Sequence, residues 1–142
     1  MYLATEPEVL DHRGPVSLTL DAASSQAPVA RSVAETLAIL YGFGLDEVAD
    51  VKLAVDEACA QLERSVADIP SITMEMEVRR FVMSVSVSAE LPDGTEVRET
   101  GFGWHVLHTL TDNAQVRVDE SEPHNTARRW SITFTKSSGV TE

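Results

Sequence analysis

Glu57 and Gln61 stand four residues apart, so on a helix they project side by side from one face. A carboxylate that orients an attacking hydroxyl, beside an amide that ligates magnesium, is equipment for phosphoryl transfer. The competing reading is a solvated helix face, the commoner fate of exposed Glu and Gln. A second grouping is Gly101-Phe102-Gly103-Trp104. Glycines at a helix start let backbone amides approach an anion, where the helix dipole favours negative charge. Such glycines are more often only a flexible entry.

Other residue types suggest chemistry less strongly. His105 and His108 lie at i, i+3, and His12 and His124 complete the histidines, but no cysteine is near enough in sequence to build a zinc site. Cys59, the single cysteine, falls on an apolar stripe and reads as a small core residue. No nucleophile-elbow pattern occurs. Trp104 and Trp130 suit either core packing or partner anchoring.

The elements that must position these residues follow from periodicity. Alternation over 16–21 predicts a strand. Ser24, Ser25 and Pro28 supply helix-start chemistry, and Val29, Val33, Leu37, Leu40 and Tyr41 recur at helical spacing up to Gly42 and Gly44. Asp46 caps a second helix, to about residue 67, with Val48, Val51, Val55, Ala58, Cys59, Leu62 and Val66 as its apolar stripe. Pro70 ends that pattern. Two strands are expected over 72–79 and 81–89, the second with Phe81, Met83, Val85, Val87 and Ala89 on one side. A polar turn and loop, 91–100, leads to a short helix with Phe102, Val106, Leu107 and Leu110 buried. Strands over 116–118 and 130–134 close the order. Adjacent strand runs separated by helices imply an α+β layer, one sheet with helices on one face. The expected organisation is an arm over 1–14, one domain over 15–137 and a frayed tail over 138–142.

Composition narrows the partners. The 142 residues hold 23 Asp and Glu against 11 Lys and Arg, a formal charge of -12. That disfavours direct nucleic-acid binding, which needs a basic face, and equally an anionic membrane surface. Neither a signal peptide nor a run of about 20 apolar residues is present, so the expected location is the cytoplasm.

The segment Leu53-Ala54-Val55-Asp56-Glu57-Ala58-Cys59-Ala60-Gln61 resembles the N-box of anti-sigma factors in the serine-kinase branch of the GHKL ATPases. The segment from Gly101 to Asp112 is similar to the second glycine box and helix of that group, and the element order matches over roughly 16–136. The resemblance implies the GHKL (Bergerat) fold, a two-layer sandwich of a mixed sheet backed by three helices. It further implies ATP with magnesium, a homodimer, and sequestration of a sigma factor relieved by an anti-anti-sigma protein. By that likeness Glu57 is the catalytic base and Gln61 the magnesium ligand, in place of the family's asparagine. Gly101 and Gly103 contact the nucleotide. The family's adenine-binding aspartate is missing at Ala89-Glu90-Leu91, which leaves Glu90 or Asp93 as its substitute. Ser131 stands where a threonine lies near adenine, next to bulky Trp130. The phosphate side is thus better kept than the adenine side. The expected function is an anti-sigma factor with weakened ATP binding, and the alternative is an active serine kinase of the anti-anti-sigma protein.

Overall fold

The computed structural model describes residues 12–21, 27–65, 71–119 and 127–139. In chain order these form β1 (His12–Asp21), α1 (Ala27–Leu40), α2 (Leu45–Ser65), β2 (Ser71–Arg79), β3 (Val82–Pro92), α3 (Gly101–Leu110), β4 (Asn113–Asp119) and β5 (Ala127–Ser137). The five strands make one sheet in the order β1-β2-β3-β5-β4. One face of that sheet is apolar and carries the helices, so the architecture is the expected α+β two-layer sandwich. All four strand pairings are antiparallel, where the resemblance implied a mixed sheet. The reason lies in the connections. Two helices separate β1 from β2, so the chain returns antiparallel, and β5 inserts between β3 and β4, the pair joined by a single-helix crossover.

Strand burial follows period two. Ile72, Met74, Met76 and Val78 of β2, and Met83, Val85, Val87, Ala89 and Leu91 of β3, face the helices, with Ile132 and Phe134 of β5 beside them. The opposite face is polar. Several strand boundaries differ from the periodicity: β3 runs on to Pro92, and β4 and β5 each extend beyond the expected 116–118 and 130–134 at both ends. β1 begins at His12 because the chain continues to pair with Arg79 and Val78 through a register shift between Arg13 and Val16. Phe81 belongs to a two-residue turn with Arg80, at φ 66° and 53°, and not to β3. Such paired positive φ values match the twist of a hairpin.

The α1 helix turns a different side to the core than its bulky residues suggest. Ala30, Ala34 and Ala38 are wholly buried, while Val29 and Leu40 are 47% and 69% exposed. Alanines at i, i+4 and i+8 let the helix lie close to α2 and the sheet, with Val33, Leu37 and Tyr41 partly buried at the margin of the core and Val29 and Leu40 turned outward. The helix closes as expected at Gly42, whose left-handed φ of 87° allows Phe43 N–H to reach Ala38 O at 3.0 Å. The stripe expected on α2 is buried from Val48 to Leu62. Its acidic first turn, Asp46 and Glu47, suits the positive end of the helix dipole. Val66, Pro70, the cap residues Ser24 and Ser25, and His124 lie outside the described residues.

In α3 the buried side chains are Trp104 and Leu107, and Phe102, expected inside, is 81% exposed. Lys136 locks three elements together. Its Nζ donates to Asp50 Oδ2 of α2 at 2.9 Å and to the Leu110 carbonyl at the end of α3, also at 2.9 Å.

Candidate functional site

The N-box residues and the glycine segment meet. Glu57 and Gln61 occupy successive turns of α2, and Gln61 Nε2 donates to Glu57 Oε2 at 3.1 Å. Arg64, one further turn along, donates to the same oxygen at 2.6 Å. The carboxylate is thus held by two donors, with the Glu57 side chain only 20% exposed and Arg64 58% exposed. The start of α3 lies against this cluster. A Cβ on Gly103 would overlap the Glu57 carboxylate and stand 2.7 Å from Gln61 Nε2 and 2.8 Å from Arg64 Nη2. Glycine is required there by close approach, and Gly101 by its φ of 93°. Thr100, at the N-cap, makes no side-chain cap hydrogen bond.

Arg64 is the residue that sequence reasoning missed. Its signal was present: positions 57, 61 and 64 follow i, i+4, i+7 and share one helix face.

The remaining predicted residues lie elsewhere. Glu90 alternates with the buried Ala89 and Leu91, so it emerges on the helix-free face of the sheet. There it stands 3.6 Å from Arg129, which also donates to Ser88 Oγ at 2.9 Å. Ser131 is opposite Ser88 in the ladder and shares that outer face. Asp93 follows the end of β3, 69% exposed and 3.9 Å from Arg128. Glu57, Gln61, Gly101 and Gly103 are therefore brought together, whereas Glu90, Asp93 and Ser131 are not among them. The side chains that face the helices at this level are Ala89, Leu91 and Trp130. The donor set of the cluster suits the magnesium-triphosphate half of a nucleotide; for the adenine half the sheet wall offers no acceptor side chain and only the indole N–H of Trp130 as a donor.

The segment from Asp93 to Thr100 is tied down at two points. Val97 is 5% exposed within the core, and Glu99 Oε2 accepts the Val116 N–H of β4 at 2.7 Å. The two histidines of α3 are exposed on its surface.

Cys59 is buried, and burial first, then the charges of Glu63 and Asp56, push its thiol up from 9.0 to about 12. It is thus an inert core thiol, since the thiolate is the reactive form. The linkage has a definite sign. Below pH 9.0 folded and unfolded chains both keep the proton, so the contribution is full. Between there and about 12 only the unfolded chain loses it, and stability falls. Unfolding free energies from urea titrations measured upward from pH 9 should drop by up to about 1.4 kcal/mol per pH unit from this group, and Cys59→Ala should flatten the slope. Equal slopes in both proteins would show that the thiol ionises freely in the fold.

No protein-family model matches the chain. Two curated relatives do, the anti-sigma-F factor RsbW of Mycobacterium tuberculosis strains CDC 1551 / Oshkosh and ATCC 25618 / H37Rv. Each is 29% identical over 120 residues, covering 84% of this chain and 71% of the relative. Among solved structures, the RsbU and RsbW domains of Rv1364c from Mycobacterium tuberculosis superpose with a TM-score of 0.61 at 17% identity. That match covers 92% of this chain and 35% of the larger one, so this chain spans about a third of its length. Over most of its length this chain is therefore similar in sequence to anti-sigma-F factor RsbW and shares the fold of a solved RsbW domain, in line with the resemblance of its N-box and glycine segments.

Proposed function

We propose that this protein is an anti-sigma factor: it sequesters an alternative sigma factor from RNA polymerase in the cytoplasm and so regulates transcription. The observation that carries this reading is the likeness to an anti-sigma-F factor along 84% of the chain. An anti-anti-sigma protein relieves the hold, as the resemblance implies. The acidic balance supports the choice of partner, because a sigma factor meets DNA and polymerase through basic surfaces that a chain of charge -12 is suited to cover. Asp50 and Asp56 of α2 are already paired, with Lys136 and Arg31 at 2.9 Å each, so exposed Asp46 contributes more of that attraction.

The active form is a homodimer. Support comes from the outward face of α1, where Pro28, Val29, Ser32, Val33, Thr36 and Leu37 line a recess of about 500 Å³ without a charged side chain. Exposed apolar stripes of this kind mark interfaces, and one such face per chain suits an isologous contact. Among the described residues no helix is long and apolar enough to cross a membrane.

A second reading, an active ATP-dependent serine kinase acting on the anti-anti-sigma protein, draws on the convergence of Glu57 and Gln61 with Gly103. The apolar sheet wall beside them weighs against it. The test of the main reading is calorimetric titration of the chain against a panel of alternative sigma factors from its host. One of them should bind with Kd below about 1 μM, some -8 kcal/mol, and sedimentation of the same mixture should show the chain as a dimer. Failure of every sigma factor to bind would refute the reading.

A further inference from the structure

We infer that the cleft between α2, α3 and the sheet is blind to the nucleobase: whatever polyphosphate it meets, it does not distinguish adenine. This rests on the proposed reading and deepens its nucleotide side: any effect of ATP on the hold would be shared by other triphosphates. A base inserted between helices and sheet buries ring nitrogens and an exocyclic amine, and each must find a hydrogen-bond partner or be left unpaired. Here the sheet's side chains supply only the Trp130 indole N–H, a single donor that cannot accept from an exocyclic amine.

Three observations lead to this. First, the helix-facing side chains at the end of β3 and its partner on β5 are Ala89, Leu91 and Trp130, of which Ala89 and Leu91 are 1% and 0% exposed. Second, the strands do not open where a base would need backbone groups. The β3–β5 ladder runs on through Ala89–Trp130, Glu90–Arg129 and Leu91–Arg128 to Pro92–Ala127, so the main chain is committed to strand pairing. Third, the polar residues of this region, Glu90 and Ser131, point to the far face of the sheet by strand alternation, and Glu90 is paired there with Arg129. Reaching the cleft would require a one-residue register slip, which would expose the core side of the strand. Val97, buried in the core, keeps the following segment from swinging clear without unpacking.

Calorimetric titration of the free chain with the magnesium complexes of ATP, GTP and tripolyphosphate tests this. The three should bind within about fivefold of one another, about 1 kcal/mol, or none should saturate over the same concentration range. A larger preference for either nucleotide over tripolyphosphate would overturn the inference. Because the titration mixture contains no sigma factor, this result stands or falls separately from sigma binding.

Discussion

Leu107→Ala should lower the unfolding free energy by about 2–5 kcal/mol, the cost of deleting a fully buried leucine side chain and leaving a cavity. Leu107 is 0% exposed, and with Trp104 it accounts for the buried side chains of α3. No glycine box can present its amides to α2 unless the helix behind it is seated. The loss should therefore be accompanied by a red shift of tryptophan emission, as Trp104 gains water at the loosened helix. Urea denaturation followed by fluorescence measures both. A loss below about 1 kcal/mol with unchanged emission would mean that α3 is not docked on this core.

Lys136→Met carries the second large effect. The lysine is 15% exposed and answers both Asp50 and the last-turn carbonyl of Leu110. Methionine keeps the stem but leaves a part-buried carboxylate and a carbonyl without their donor. Breaking a well-buried pair costs about 3–5 kcal/mol, and the 34% exposure of Asp50 lowers the expectation here to about 2–3 kcal/mol. Asp50→Asn in the same background should restore part of the loss, since it removes the stranded charge. Denaturation of the two single variants and the double variant gives the coupling directly. Additive losses would show that the contact contributes nothing to the fold.

How much of this was legible beforehand depended on the kind of signal. The α2 stripe and the alternation of β3 were readable because each has one strong period and one buried face. The face of α1 was read only in part: Val33, Leu37 and Tyr41 do pack against the core, but Val29 and Leu40 do not, because size was weighed before closeness. Ala30, Ala34 and Ala38 are poor hydrophobes singly, yet their spacing makes a continuous, fully buried seam. Phe102 was misplaced for a related reason: an aromatic ring at a helix start was assigned to the core, while the turn around Gly101 directs it outward. At the site, Glu57, Gln61, Gly101 and Gly103 stood out only through the family resemblance of their two segments, since spacing alone left a solvated helix face and a flexible entry as the commoner readings. Glu90 and Ser131 were assigned by residue type at a matching position. Strand parity overrules type, since a side chain next to a buried neighbour in a strand must face the other way. Arg64 went unnoticed because a single arginine in a polar helix face carries no motif of its own.

The proposed work of this chain is to bind a sigma factor, a reading that rests on its likeness to an anti-sigma-F factor. Run-off transcription by polymerase holoenzyme carrying the captured sigma factor tests that most directly. Added in stoichiometric amount over sigma, the chain should abolish the transcript, equally with and without magnesium-ATP in a preincubation of chain and sigma that precedes polymerase. A transcript that persists at saturating chain would contradict the account.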